Sequence, residues 1–296
     1  MRITTWITHQ QRLASLQNNQ TRLTKAQGQV SSGLKLERAS DNPAGTVELL
    51  TIQSRLAERQ QQAESISGAL PLMKSTESVL GELSTALQAA KIAGLRAANT
   101  ATGSDADRAA LAAQIRGSAV SVLNLANTRV DQRYLFSGTK SDIRPFVAGE
   151  PVTYVGNTST LKLAPTDGQP LAISITGEQL QGGQEDSDLF ANLKGLEQAV
   201  LSGNSEAIRS SMTKVDADWN RVVSLRGDMG ARLNYLDMAQ RGIEKEVSLL
   251  EVRQSELRDV DFTEAIVREK SAENSQQAAL AMAGKIGSIS LLDYLR

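Results

Sequence analysis

Between Ile208 and Leu257 a side chain suited to a helix seam returns after four and then three residues without a break. The series runs Ile208, Met212, Val215, Trp219, Val222, Arg226, Met229, Leu233, Leu236, Gln240, Ile243, Val247, Leu250, Gln254 and Leu257. A 3.5-residue repeat sustained over that length predicts one long helix whose stripe is covered by another helix lying alongside, as in a left-handed coiled coil. The three polar members, Arg226, Gln240 and Gln254, weaken the seam locally and are candidates for setting its register. A second stripe, Leu49, Ile52, Leu56, Ala63, Ile66, Leu70, Met73, Leu80 and Leu87, follows a strong helix start in which Asn42 caps and Pro43 takes the first helical position. Two long seams in one chain can cover each other, so both are read as intramolecular core. Pro71 interrupts the second stripe and predicts a kink or a split near Gly68.

Composition agrees with a helical reading. Hydrophobic residues make up 40% of the 296 positions but aromatic ones only 3%, so the core must come mainly from Leu, Ile, Val and Ala. Ser104 and Asp107 form a capping-box-like start for a further helix carrying Leu111, Ile115, Ser118, Val122 and Leu125. From 134 to about 186 the pattern changes to short β-branched or aromatic runs, "YLF", "VTYV", "LKL" and "AISI", separated by Gly, Pro, Asn and Asp. Helix resumes at "SDLFANLKGLEQAV", and "RDVDF" at 258–262 breaks the long final seam before a last helical segment. The expected fold is mainly α: long antiparallel coiled-coil helices from both chain ends form a discontinuous helical domain, with a small β-rich module inserted mid-chain. The expected division is 1–33 with 262–296 as a terminal coiled-coil assembly domain, 34–133 with 187–261 as a helical-bundle core, and 134–186 as an outward-facing β module.

Chemistry is poorly supplied. The formal net charge of -1 offers no field for gathering nucleic acid or an anionic membrane. With no Cys and a single His, His9, thiolate metal sites and Cys nucleophiles are excluded, and His9 reads as an ordinary surface residue. Asp259 and Asp261 read as helix-capping acids rather than a catalytic pair. No phosphate-binding glycine loop, nucleophile elbow or zinc signature is present, and Asn157-Thr158-Ser159 is a chance-frequency match to a glycosylation triplet. The N-terminal residues carry no apolar run of signal-peptide length, and "AALAMAG" at 278–284 is far too short to span a bilayer. Neither an enzyme, a cofactor, a metal nor a membrane partner is expected.

The two terminal segments pose a different problem. Leu16, Leu23 and Val30 recur at seven-residue spacing before the Gly33 stop, in a segment otherwise rich in Gln, Asn and Thr. The other end is apolar around much of its circumference and finishes "SISLLDYLR". Isolated helices of this kind are marginal in water, and each exposed Leu forgoes about 1.5–3 kcal/mol of burial. Cover from other copies is therefore expected, with Leu16, Leu23, Val30, Ile266, Leu280, Met282, Ile286, Ile289, Leu291, Leu292 and Leu295 as the assembly interface.

The segment "QVSSGLKLERASDNPAG" at 29–45 resembles the N-terminal signature of bacterial flagellins and their junction relatives, as do "GALPLMKSTESVLGELSTALQAAKIAGLRAANT" and, near the other end, "LRDVDFTEAIVREKSAENSQQAALAMAG". Three further features, "RYLFSGTKSDIRPFV", "YVGN" and "SLLDYLR", are similar to the hook–filament junction members of that superfamily. The resemblance implies a structural subunit exported through the flagellar type III apparatus without a cleaved signal, with an export chaperone as a transient partner. It implies a ring of copies between hook-associated protein 1 and the flagellin filament, with about 1–33 and 262–296 forming an inner coiled-coil layer. A short flagellin that builds the filament itself is the second expectation, and a cytosolic coiled-coil adaptor or chaperone the third.

Overall fold

The computed structural model describes residues 2–99, 104–165, 168–182 and 188–294, with side chains described from 6 to 284 apart from residue 8 and the gaps between those stretches. Seven helices lie among the described residues: α1 (Arg2–Ser32), α2 (Pro43–Asn99), α3 (Asp105–Ala126), α4 (Gly177–Gln181), α5 (Leu189–Ser202), α6 (Ser205–Arg258) and α7 (Phe262–Tyr294). Three antiparallel pairs of two-residue strands lie mid-chain among the described residues. They are β1 (Arg129–Val130) with β2 (Arg133–Tyr134), β3 (Phe146–Val147) with β4 (Thr153–Tyr154), and β5 (Lys162–Leu163) with β6 (Leu171–Ala172). The mainly helical fold with a small β-rich insertion is as the sequence predicts. The chain divides into two compact units, Met1–Arg59 with Lys245–Arg296, and Gln60–Glu244, so both divisions fall inside the long helices α2 and α6.

In the unit spanning Gln60–Glu244, the heptads of both long helices are buried. Ile66, Met73, Leu80 and Leu87 of α2 are fully buried at seven-residue spacing, and Val215, Val222, Met229 and Leu236 of α6 do the same. Contacts run antiparallel, with Glu77 paired to Arg226 at 2.7 Å and Lys91 paired to Asp216 further along α2. The Lys91 ammonium also lies 5.7 Å from the Trp219 ring, a cation–π contact that ties the same two helices. The intervening seam positions Met212, Trp219 and Leu233 are half-buried and Arg226 is exposed, so the α6 stripe is narrower than the sequence suggests. On α2 the stripe widens past Met73 to include Thr76, Val79, Leu83, Ala90 and Ala93. There α2 is enclosed by more than one helix: a Cβ at Gly94 would lie 3.2 Å from Met212 and 3.3 Å from Leu196, a closeness that glycine permits.

Pro71 does not break the helix. α2 runs through it, because Pro71, Gly68 and Ser67 all face solvent. Water can take the Ser67 carbonyl that loses its partner, while Ile66 and Met73 hold the opposite face in the core. Asn42 caps α2 by accepting the Gly45 N–H at 3.0 Å, and Ser104 and Asp107 form the full capping box of α3. On α3 the deeply buried positions are Ala112, Ile115, Ser118, Val122 and Ala126, shifted from Leu111 and Leu125 to the neighbouring alanines. Among the described residues α3 is the one helix long and apolar enough to cross a membrane by length and composition, where the sequence suggests no stretch of that kind; it owes this to alanine and packs against α5.

Aromatic and polar contacts hold the β region. The Phe146 ring sits 5.3 Å from Tyr154 and 5.1 Å from Phe190 of α5, and the Asn127 side chain exchanges two 3.0 Å hydrogen bonds with the Phe146 backbone. From α6, Arg232 donates to the Ala172 carbonyl at 3.1 Å, and Arg221 donates to the Leu180 and Gln181 carbonyls at 3.3 and 3.2 Å. Asp218, 1% exposed, accepts from Asn192 at 2.8 Å and pairs with Arg221. Burial raises its carboxyl above the ordinary aspartate range, opposed by Asn192 and Arg221. Asn157 of the triplet is committed to the turn, its Oδ1 accepting the Thr139 N–H at 2.9 Å.

Replacing Pro71 with Ala restores a backbone donor on the solvent face, and urea unfolding should show a gain of about 1–3 kcal/mol. Met229→Ala should lose about 2–5 kcal/mol in the same assay, since it opens a cavity in the buried heptad.

Candidate assembly interface

The unit spanning Met1–Arg59 and Lys245–Arg296 brings the two chain ends together. α1 stops at Gly33, whose positive φ of 71° suits a residue without a Cβ, and Lys35 N–H then donates to the Arg258 carbonyl at 2.7 Å. Val260 N–H returns a bond to the Gly33 carbonyl at 2.9 Å, and Leu34 bridges Asp259 as a one-step antiparallel pair. This backbone clasp joins the two connections and sets α1 and α7 side by side. Asp261 caps α7 by accepting the Thr263 and Glu264 N–H groups at 2.9 and 3.2 Å, the capping role its sequence position predicts. Asp259 is held by Arg258 and Ser255, each at 2.8 Å, and Asp41 by Lys25 at 2.8 Å. Hydrogen bonding to Arg258 and Ser255 lowers the Asp259 carboxyl, and the Lys25 hydrogen bond lowers that of Asp41.

α1 and α7 pack against each other, the leucines of α1 meeting a face of α7 in which alanine predominates. On α1 the less exposed positions are Leu16, Asn19, Leu23, Ala26 and Val30, a three-four alternation in which Ala26 is buried. On α7 they are Ala265, Ala272, Gln276 and Ala279, with Ala265 buried and Glu269 and Glu273 half-buried at the edge of the stripe, and Gln276 donates to Gln20 of α1 at 3.0 Å. The larger apolar side chains point elsewhere: Phe262, Val267, Leu280 and Met282 each leave more than half their surface to solvent, as does Trp6.

The expected interface residues thus separate into three groups. Leu16, Leu23 and Val30 are half-buried on the α1 face that meets α7, whereas Ile266, Leu280 and Met282 are exposed. Ile286, Ile289, Leu291 and Leu292 belong to α7, with side chains outside the described part, and Leu295 lies outside the described residues. Sequence reasoning missed Ala26, Ala265 and Ala272, although the heptad spacing of alanines at 265, 272 and 279 was available as a signal. Trp6, Phe262 and Val267 were also missed, because isolated apolar residues stand outside the seven-residue series. His9 is exposed, and no cluster of three His, Asp or Glu side chains able to hold a metal occurs among the described residues.

Two family models match this layout: the bacterial flagellin N-terminal helical region over residues 3–141, and the bacterial flagellin C-terminal helical region over residues 212–295. The chain belongs to the flagellin family. Both matched regions of this flagellin-family chain include a helix of the terminal pair, α1 in one and α7 in the other. Flagellar hook-associated protein 3 of Escherichia coli (strain K12) is 28% identical over 95% of this chain and 94% of its own length. A flagellar hook-associated protein structure from Vibrio parahaemolyticus has a TM-score of 0.67 at 18% identity, covering 74% of this chain and 100% of that one. The flagellar junction protein from Legionella pneumophila has a TM-score of 0.60 at 14% identity, covering 71% of this chain and 99% of that one.

The lowered carboxyls of Asp41 and Asp259 give the terminal unit a pH dependence. A folded-state value below the unfolded one means stability that is complete above the ordinary aspartate value of about 3.9 and is lost as pH falls through the lower folded values. Melting followed by circular dichroism from about pH 5 to about pH 2 should show this loss, and the Asp41→Asn/Asp259→Asn variant should flatten it.

Proposed function

We propose that this flagellin-family chain is a structural subunit of the bacterial flagellum that forms an adaptor ring at the hook–filament junction. The observation that carries this reading is the terminal helix pair: α1 and α7 are clasped in one unit, yet leave Trp6, Phe262, Ile266, Leu280 and Met282 uncovered. A subunit that packs side by side with its own copies would bury them, at about 1.5–3 kcal/mol per large side chain. Similarity over nearly the whole length to a hook-associated protein 3 supports the junction over the filament. On this reading residues 1–33 and 262–296 form the assembly layer, 34–133 with 187–261 the supporting bundle, and 134–186 the outward-facing module. The ring's neighbours are hook-associated protein 1 on one side and flagellin on the other, reached by type III export with a flagellar chaperone. A short flagellin is the second reading, favoured by the two flagellin models themselves.

Electron microscopy of cells lacking the gene, combined with an assay for flagellin in the medium, tests the proposal. Intact hooks without filaments, and flagellin shed into the supernatant, are expected. Normal filaments would overturn an essential junction role, and lost filaments without shed flagellin would support the filament subunit. Removing residues 291–296 should abolish incorporation into sheared appendages while the melting transition of the Gln60–Glu244 unit is unchanged.

A further inference from the structure

The two flanks of α7 differ in charge. With α1 packed in front of Ala265, Ala272 and Ala279, a helix of 3.6 residues per turn places Val267, Arg268, Ser271 and Ser275 on one side of α7. Phe262, Ile266, Glu273 and Leu280 then project from the opposite side, about 180° away, with Glu269 beside them.

The first flank forms one wall of a groove of about 720 Å³ between α1, α7 and the connection from α1 to α2. Four cations line it, Arg22, Lys25, Lys35 and Arg268, against one carboxylate, Asp41, which Lys25 already holds at 2.8 Å. Arg268 pairs with Glu264 of its own helix at 2.5 Å, and Arg22 and Lys35 meet no side-chain carboxylate among the described residues. The surplus is written into the elements themselves: α1 contains no acidic residue over Arg2–Ser32, and α2, whose N-terminus meets the groove at Asn42, has none in its first turn. The helix N-terminus adds positive potential of its own. The groove floor includes Ala26, Leu36 and Ala272, so it can also receive apolar groups.

The second flank is the complement. Phe262, Ile266 and Leu280 are exposed apolar groups, and Glu269 and Glu273 lie between them in the same four-three alternation. Glu269 accepts no hydrogen bond among the described residues, and Glu273 is held only by neighbours on its own helix, Lys270 at 2.8 Å and Gln277 at 3.5 Å. Such a surface pair is worth little and is easily exchanged.

We infer that the Phe262–Leu280 flank of one copy docks into the Arg22/Lys35 groove of a second copy. The inference deepens the assembly reading above and rests on it. Since the two surfaces are different and lie on opposite sides of one helix, the contact is head-to-tail and generates a ring when the rotation closes. The carboxylates Glu269 and Glu273 meet cations there, and like flanks repel, so the charges select the direction in which copies join.

The test uses the full chain expressed in cells lacking their own copy, with the amount in sheared appendages as the readout. Arg22→Glu/Lys35→Glu makes both flanks acidic, and Glu269→Lys/Glu273→Lys makes both basic. Each alone should lower incorporation at least about tenfold, since facing like charges cost several kcal/mol. Expressed together the two variants should restore it, because an acidic copy then always meets a basic one. Either variant incorporating at the wild-type level, or a mixture no better than its parts, overturns the inference. Should a reversed variant fail to melt like the parent, the neutral pair Arg22→Gln/Lys35→Gln and Glu269→Gln/Glu273→Gln replaces it, with a smaller loss expected from each and an unchanged level overturning the proposal. Absence of the wild-type chain from appendages would instead overturn the flagellar reading beneath it.

Discussion

Burial of one residue in every seven along α2 and α6 is the constraint on which the rest of the larger unit depends. Ile66, Met73, Leu80 and Leu87 have no exposed surface, nor have Val215, Val222, Met229 and Leu236. A helix more than 50 residues long cannot be held by propensity alone, because ordering each residue costs about 1–2 kcal/mol and Gly, Ser and Thr are scattered through both. The continuous apolar contact offsets that cost. The same contact carries α2 through Pro71, and it gives Asp218, Arg221 and Arg232 a rigid base from which to grip the β region.

The terminal unit is built on the opposite economy. Its shared face uses Ala26, Ala265, Ala272 and Ala279, which allow close approach but bury little area, and a Gln20–Gln276 hydrogen bond occupies part of the seam. Leu16, Leu23 and Val30 of α1 meet that face only half-buried, while the larger apolar side chains of α7 face outward instead. This arrangement suits a subunit whose ends become fully packed only among copies: the clasp of Lys35, Val260 and Gly33 sets the helices side by side, and the neighbours supply the remaining burial. A pair that packed its large residues inward would be more stable alone and would offer less to a partner.

Much of the fold was legible because periodicity and capping are local properties. Pro43, Ser104 with Asp107, and Asp261 mark helix starts that the structure places where the residues predict. Pro71 misled, since its effect depends on which face of α2 meets water, a fact of packing and not of neighbours in the chain. The β region was legible as a region but its pairing was not: two-residue strands such as β1 and β3 carry no alternation to read, whereas the Thr176–Gln179 box of α4 was readable and was missed. In the terminal unit the seven-residue series of Leu16, Leu23 and Val30 was visible, but not that it would face alanines.

By itself the sequence determined the helical class, the positions of the long helices, the inserted β region and, through its motifs, the flagellin family. Each of these follows from side-chain type at fixed spacing along one chain. Only the tertiary structure decided which faces are used: that α7 turns its alanines to α1, and that Arg22, Lys25, Lys35 and Arg268 gather in one groove opposite Glu269 and Glu273. Residues 22 and 268 are neighbours only because the backbone clasp folds the two ends together, and a one-dimensional pattern holds no record of that juxtaposition.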